Sequence, residues 1–327
     1  MTDNRYIRQQ LVAQLGRESQ EQLANARVLI VGAGGLGSPV STLLAGAGVG
    51  EITLIDDDVV SLSNLHRQTL YTESDIGELK VNAAQKRLSV INSDITIHVI
   101  AERLNLDNAA ELITNSTVVV DAADNFLVSY LLSDLCFEQR IPLVSASVLT
   151  THGYLGVYCG TVDKPAPSLR AVFPAPSSDV NNCNTAGVTG PSVGVIGSYQ
   201  AQEVLKVITQ SDSQLLGKLM SLDLWDYRQH IIDFSQSAEP IASASLLPIS
   251  SVNENDFLLD VRSPQECIED PMPLSANNIP LPELESRINE LPSNSRIICV
   301  CKSGQRALSA AQLLLSNDFS KIYVTSR

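Results

Sequence analysis

Ala26-Arg27-Val28-Leu29-Ile30-Val31 runs directly into Gly32-Ala33-Gly34-Gly35-Leu36-Gly37. The first six residues read as a buried parallel strand, and the small and apolar residues from Gly37 to Gly46 recur at helical spacing. The spacing Gly32-x-Gly34-x-x-Gly37 between strand and helix lets the backbone approach a phosphate, where the helix N-terminus offers unpaired N–H groups and a partial positive charge. Outward from this turn, Ile52-Thr53-Leu54-Ile55 predicts a second strand ending in Asp56-Asp57-Asp58, with Asp56 placed to accept hydrogen bonds from ribose hydroxyls. A helix is expected over residues 75–91, and the apolar runs at 95–100, 117–121 and 142–146 predict further strands. Strands alternating with helices give an α/β fold with a doubly wound sheet.

From residue 161 to residue 191 the pattern stops in a stretch rich in Pro, Ser, Asn and Gly, too long for an ordinary connection. A helix is expected again over 193–208 and closing strands over 219–234, before the small residues of 235–251 suit a linker. A second, smaller α/β unit follows, with a strand at 257–261, a helix near 284–290, a strand at 296–300 and a helix at 307–315. Two domains fit a chain of 327 residues. Asp and Glu number 36 against 22 Lys and Arg, a net charge of −14 that repels phosphate backbones and anionic lipid heads, so nucleic acid and membrane are not expected partners. No apolar run reaches the roughly 18 residues of a spanning helix and no leader is evident, so a cytoplasmic location is expected. The six cysteines form no Cys-x-x-Cys pair, which speaks against a disulfide framework and a zinc ribbon.

By itself the glycine fingerprint defaults to an NAD-dependent dehydrogenase. The segment Asp56-Asp57-Asp58-Val59-Val60-Ser61-Leu62-Ser63-Asn64-Leu65-His66-Arg67-Gln68, with Gly77-Glu78-Leu79-Lys80 after it, points elsewhere. Hydride transfer needs no cations on a triphosphate, whereas attack of a carboxylate on the α-phosphorus of ATP does. Arg67 and Lys80 supply that charge, and Asp124, in Asp121-Ala122-Ala123-Asp124-Asn125 at a strand's carboxyl end, is placed to hold Mg²⁺. At these residues the chain resembles the ThiF/MoeB family, bacterial relatives of ubiquitin-activating enzymes, from about residue 5 to about residue 234. The resemblance implies a Rossmann-like adenylating domain over 1–240. It further implies that Gly34 and Gly35 line the nucleotide site, that Asp56 holds the ribose, and that Asn64, Arg67, Gln68 and Lys80 surround the phosphates. Asp58 and Asn125 join the nucleotide-binding set, and Asp124 sits at magnesium. Arg8, in Arg5-Tyr6-Ile7-Arg8-Gln9, matches an arginine that such enzymes place on a partner's ATP, implying a homodimer.

Such enzymes adenylate the C-terminal Gly-Gly carboxylate of a ubiquitin-like sulfur carrier, ThiS-like or MoaD-like. Asn182-Cys183-Asn184-Thr185-Ala186-Gly187-Val188 resembles the family loop whose cysteine joins covalently to the activated carrier; the alternative for Cys183 is a spectator thiol. Most relatives bind a structural zinc through two Cys-x-x-Cys pairs, but here the first gives way to Ser168-Leu169-Arg170-Ala171 and the second is absent. No zinc is therefore expected, and the stretch 161–182 should be looser or held by other packing.

After a linker at 241–250, residues 251–327 look like a rhodanese domain, C-terminally short, on the motifs Leu259-Asp260-Val261-Arg262-Ser263-Pro264-Gln265-Glu266, Asn278-Ile279-Pro280-Leu281 and Cys301-Lys302-Ser303-Gly304-Gln305-Arg306. A six-residue loop at a strand–helix junction wraps N–H groups around a sulfur, with Arg306 and the helix dipole stabilising thiolate and persulfide, so Cys301 is the candidate persulfide carrier. Cys299, two residues earlier on the strand, is expected to pack in the core. The combined expectation is ATP-dependent activation of a carrier protein coupled to sulfur transfer from a donor such as a cysteine desulfurase, in thiamine or molybdenum cofactor biosynthesis. The rivals are a non-catalytic nucleotide-binding regulatory module and the dehydrogenase, which lacks an obvious proton-transfer pair.

Overall fold

A computed structural model describes residues 5–174, 187–240, 244–272, 275–302 and 304–326. The fold-deciding stretch forms strand β1 (Arg27–Val31) and the helix Gly37–Ala47. Around β1 lie β2 (Glu51–Ile55), β3 (Thr96–Ile100), β4 (Val118–Asp121), β5 (Leu143–Leu149), β6 (His152–Tyr158), β7 (Lys218–Asp223) and β8 (Arg228–Asp233), in the sheet order β3-β2-β1-β4-β5-β6-β7-β8. Strands β1 to β5 pair in parallel. Strands β6 to β8 then continue the sheet antiparallel; the sequence pattern foretold β7 and β8 as closing strands at 219–234 and did not foretell β6.

Both faces of β1 are covered: Val28 and Ile30 enter one apolar core, and Leu29 and Val31 the other. This is why the run carries no polar alternation. The chain turns to opposite sides of β1 through β2 and β4, so the strand order reverses between β1 and β4. Ligands bind in such folds outside the carboxyl ends of the strands at that reversal. The glycine-rich turn after β1 and residues 122–125 after β4 both lie there.

Several local expectations shift. The helix expected from residue 75 begins at Lys80, because Gly77 adopts a left-handed φ of +88° and Leu79 bridges Val59 in antiparallel fashion before the helix Lys80–Ile91 starts. The helix expected from 193 starts at Gly190, where the Thr189 side chain caps it and Pro191 occupies its first turn. The stretch 161–191 contains a short helix at Leu169–Val172. The helix near 284–290 is reduced to Leu281–Leu284 and a 3₁₀ turn at Ile288–Glu290.

The second sheet is wholly parallel and consists of β9 (Ser245–Leu246), β10 (Phe257–Asp260), β11 (Asn277–Asn278), β12 (Ile297–Cys301) and β13 (Ile322–Ser326), in the order β11-β10-β12-β13-β9. It begins inside the stretch 241–250 expected to be linker, since Tyr323 pairs with Ser245 and Val324 with Leu246. The helix Gln305–Leu315 packs on β12 and β13 and also against the helix Phe126–Gln139 of the first unit. One apolar cluster accordingly runs through both units, from Leu131 and Leu132 to Leu308 and Ala311. Among the described residues no helix is long and apolar enough to cross a membrane.

Candidate functional site

The glycine turn is fixed by backbone geometry. Gly32 has φ +97°, and a Cβ there would lie 2.6 Å from the Ala122 carbonyl oxygen, so only glycine lets the turn pass beside the end of β4. At Gly34, by contrast, a Cβ would meet only the Gln68 amide, 3.6 Å away. The turn tolerates a side chain at that position on steric grounds, which leaves close approach of a ligand as the physical use of a glycine there.

Groups named from the sequence gather around this turn. Asp56 accepts the N–H of Ala33 at 2.7 Å and that of Asp58 at 2.9 Å. Burial pushes its carboxyl up, and the Lys80 charge pulls it partly back. Lys80 is 5% exposed and pairs through Nζ with Asp58 Oδ2 at 2.7 Å, and its charge is felt at Asp56 through space. Arg67 borders Gly35, whose Cβ would lie 4.0 Å from Arg67 Cδ, and its Nη1 donates to the Ser63 carbonyl at 3.0 Å and lies 2.9 Å from His66 Nε2. Gln68 is buried beside Gly34, and its Oε1 has no hydrogen-bond partner among the described residues. The Gln68 atom nearest Gly34 is Nε2, and a buried amide whose oxygen lacks a partner, lying against the turn, fits a site for a polar ligand.

Two named residues serve the local fold through the side-chain contacts observed. Asn64 accepts the Ser61 N–H at 3.2 Å in the capping box of the 3₁₀ turn Leu62–Asn64. Asn125 caps the helix Phe126–Gln139, its Oδ1 accepting the Val128 N–H at 3.0 Å. Asp124 beside it is exposed and pairs with no other described residue. Among the described residues no three His, Cys, Asp or Glu side chains assemble as a metal cluster. A single carboxylate still suits Mg²⁺, which keeps several waters and is bound through one or two carboxylates plus substrate phosphates.

Arg8 stands apart. Its helix, Ile7–Gln10, is tied to the C-terminal end of Gly37–Ala47, where Gln9 donates to the Ala47 carbonyl at 2.9 Å. The glycine turn lies at the other end of that helix, whose 11 residues span about 16 Å. Arg8 is exposed, at the end of that helix opposite the glycine turn.

Other buried groups near the site escaped the sequence reading. Asp121 ends β4 with its carboxyl pushed up by burial, accepting the Ser145 hydroxyl at 2.7 Å. Gln200 is fully buried and donates to the carbonyls of Asp121 at 2.7 Å and Val144 at 3.1 Å. Tyr71 donates its hydroxyl to the Ala33 carbonyl at 2.7 Å, bracing the turn from behind. Tertiary position alone distinguishes these three from ordinary core residues.

Where the resemblance would place cysteines, the chain has a polar clamp. Ser168 Oγ donates to Glu239 Oε2 at 2.5 Å and its N–H to Oε1 at 2.8 Å. Arg170 binds Asp134 through two bonds of 2.6 and 2.9 Å and lies 4.3 Å above the Tyr130 ring. The described part of the 161–182 stretch is thus held by other packing. Cys183 lies outside the described residues.

In the second unit, Cys301 closes β12, is 1% exposed, and its Sγ accepts the Ala307 N–H at 3.4 Å. Arg306 forms a two-bond pair with Glu266, both contacts 2.7 Å, instead of contacting the sulfur directly. That pair, with the Ser263 N–H, holds the Glu266 carboxyl down at about 2. The Ser263-x-x-Glu266 spacing signals this glutamate as a capping box, which the structure shows. Arg262 is 1% exposed and binds Asp260 at 2.6 Å; burial opposes the Asp260 charge, but the Arg262 hydrogen bonds outweigh it and hold the carboxyl below its usual range. Cys299 is fully buried among apolar neighbours, as a core residue.

Comparison with known proteins follows the same division. The model of the ThiF family matches residues 6–240, and that of the rhodanese-like domain matches 248–326. A protein named adenylyltransferase and sulfurtransferase MOCS3, from Arabidopsis thaliana, is 33% identical over 374 residues, covering 96% of this chain and 80% of that protein. Its namesake from Caenorhabditis briggsae is 45% identical over 221 residues, covering 67% of this chain and 54% of that protein. In this and other animal relatives the chain spans about half the length of the protein it matches. The crystal structure of E. coli MccB with ATP superposes with a TM-score of 0.63 at 25% identity, covering 72% of this chain and 73% of that one. With a family match running from residue 6 to residue 240 over the glycine turn, Asp56, Arg67, Lys80 and Asp124, the chain belongs to the ThiF family, and it carries a rhodanese-like domain behind that unit.

Proposed function

We propose that the chain uses ATP to adenylate the C-terminal glycine of a ubiquitin-like sulfur carrier ending in Gly-Gly, and then passes sulfur from Cys301 to the activated carbonyl. The observation that carries this reading is the gathering of two cations, Arg67 and Lys80, beside a glycine turn that leaves room for phosphate. The carrier carboxylate attacks the α-phosphorus, a P–O bond forms, and pyrophosphate leaves with the electron pair of the broken one. Arg67 and Lys80 offset the charge on the departing group, and the Gln68 amide lies against the turn. Mg²⁺, held by Asp124, would supply further neutralisation of phosphate charge. Asp56 positions the ribose. Arg8, at the opposite end of the helix Gly37–Ala47 from its own turn, serves the site of a second copy in a homodimer.

A carboxylate is a poor electrophile, and the mixed anhydride gives it a good leaving group. The terminal sulfur of a Cys301 persulfide, loaded by a donor such as a cysteine desulfurase, attacks the acyl carbon. A C–S bond forms and AMP leaves with the electron pair. A thiolate then attacks Cys301 Sγ, releasing the thiocarboxylate and leaving a disulfide that an external dithiol must reduce. Cys183 is the proposed resolving thiol. The names of the relatives support both halves of this scheme, the thiolated product serves thiamine or molybdenum cofactor biosynthesis, and the acidic chain works in the cytoplasm.

The test is ATP–pyrophosphate exchange with purified ThiS-like and MoaD-like carriers. Exchange with one carrier, falling about 10²-fold or more in Arg67→Ala, is expected from removal of one preorganised charge. Exchange with neither carrier, or exchange indifferent to Arg67→Ala, refutes the assignment. Sulfur transfer from thiosulfate should vanish in Cys301→Ser while exchange persists; unchanged transfer would refute the persulfide role.

A further inference from the structure

Gly304, in the loop that follows Cys301, is pressed against the side chain of Leu127, at the start of the helix Phe126–Gln139. A Cβ on Gly304 would overlap Leu127 Cδ2 and sit 3.0 Å from Leu127 Cβ. The left-handed φ of +78° at Gly304 gives a second reason for glycine. The helix Gln305–Leu315 packs against the same helix, and the two units share one apolar cluster. The loop carrying the candidate sulfur donor is therefore seated on the helix whose cap is Asn125 and whose preceding residue is Asp124.

We propose that Leu127 is a positioning residue that docks the Cys301 loop beside the adenylation site of the same chain, so that sulfur transfer follows activation in cis. The inference rests on the function proposed above. Asp124 and Leu127 are three residues apart, as are Cys301 and Gly304. At about 3.5 Å per residue, and with the Gly304–Leu127 contact between them, the Cα atoms of Asp124 and Cys301 lie within about 27 Å of each other. A flexible carrier tail of about eight extended residues covers that span while its folded body stays near one place. A second domain held only by a flexible linker would have to search for the site. Docking replaces that search with a fixed approach, and misplacement by an ångström can cost on the order of 10²-fold in rate.

The residue is apolar and touches no reacting atom, so its role is separable from the chemistry. In the full chain, with a Gly-Gly carrier, three rates are to be measured for Leu127→Ala and for Leu127→Met: ATP–pyrophosphate exchange, transfer from thiosulfate to cyanide, and formation of the carrier thiocarboxylate. For Leu127→Ala the expected result is exchange and thiosulfate turnover within about twofold of the parent, with thiocarboxylate formation slowed about tenfold. Leu127→Met, similar in volume, should restore the coupled rate. Hydrogen exchange in the Gln305–Leu315 helix reports whether the interface has loosened. A parental coupled rate in Leu127→Ala despite a loosened interface overturns the proposal, as does a rise in thiosulfate turnover with unchanged coupling, which would make the contact a cover over Cys301. Absence of exchange in the parent chain would instead count against the proposed function, leaving the two failures distinguishable.

Discussion

The clamp between Arg170 and Asp134 makes an asymmetric prediction. The Arg170 side chain is 6% exposed and that of Asp134 is 39% exposed. Asp134→Ala leaves a guanidinium buried without its counter-ion, at a cost of about 3–5 kcal/mol. Arg170→Met leaves a carboxylate that water can reach, so the loss is that of the charge-assisted hydrogen bonds, about 1.5–3 kcal/mol, with the contact over Tyr130 adding about 1 kcal/mol. Met fills part of the vacated space. For a domain of this size each kcal/mol moves the unfolding midpoint by about 2–4 °C, so Asp134→Ala should lower Tm by roughly 6–20 °C, and Arg170→Met by less. The double variant should be more stable than Asp134→Ala alone, because no charge is stranded. The assay is thermal unfolding of the full chain followed by near-ultraviolet circular dichroism. If Arg170→Met proves the more damaging single change, or if the double variant is less stable than Asp134→Ala, the view of this pair as a one-sided buried clamp is refuted.

Two further outcomes are expected. Gln200→Leu removes both donors to the carbonyls of Asp121 and Val144, and should destabilise the first unit by about 1–3 kcal/mol, seen as a lower urea midpoint with an unchanged slope; an unchanged midpoint would show those carbonyls satisfied without it. The Glu266 carboxyl, held at about 2 by Arg306 and the Ser263 N–H, is depressed below its unfolded value, so its stabilisation is present above about pH 4.5 and lost as pH falls toward 2. Glu266→Gln should flatten the acid dependence of Tm over that window, by a small amount because both partners are more than a third exposed, and an acid limb identical to the parent's would contradict the pairing.

The fold was legible wherever a local rule dictated it. A continuous apolar run before three spaced glycines specifies β1 and its turn, because the backbone of Gly32 must pass the end of β4 and few other sequences permit that approach. The strand at Val118–Asp121, buried at all four positions, was legible for the same reason, whereas Thr96–Ile100, an edge strand in which Ile97 alone is buried, was legible from its β-branched residues. Boundaries slipped where a single φ or cap decides them, as at Gly77 and Thr189. Ser168 and Glu239 are 71 residues apart, and no periodicity in either neighbourhood announces their bond. The two-residue strand β9 is too short to leave a pattern and exists through its pairing with β13. In the candidate site, residues that the family resemblance singled out, Asp56, Arg67, Gln68 and Lys80, do lie around the glycine turn. The partners that restrain such residues were not legible, because Asp58 on Lys80 and Glu266 on Arg306 are consequences of tertiary placement.

The order of strands in the second sheet also sets a timetable during synthesis. β13 lies between β12 and β9, so that sheet cannot be zipped together until residues 322–326 have emerged from the ribosome. The eight strands of the first sheet are all available by residue 233. The later unit therefore condenses next to an earlier one that has had time to form, with Leu127 already displayed on a finished helix as a template against which the Gly304 loop can settle. Until that moment β9 is a two-residue stub waiting for a neighbour translated some eighty codons later, the kind of distant pairing that delays folding.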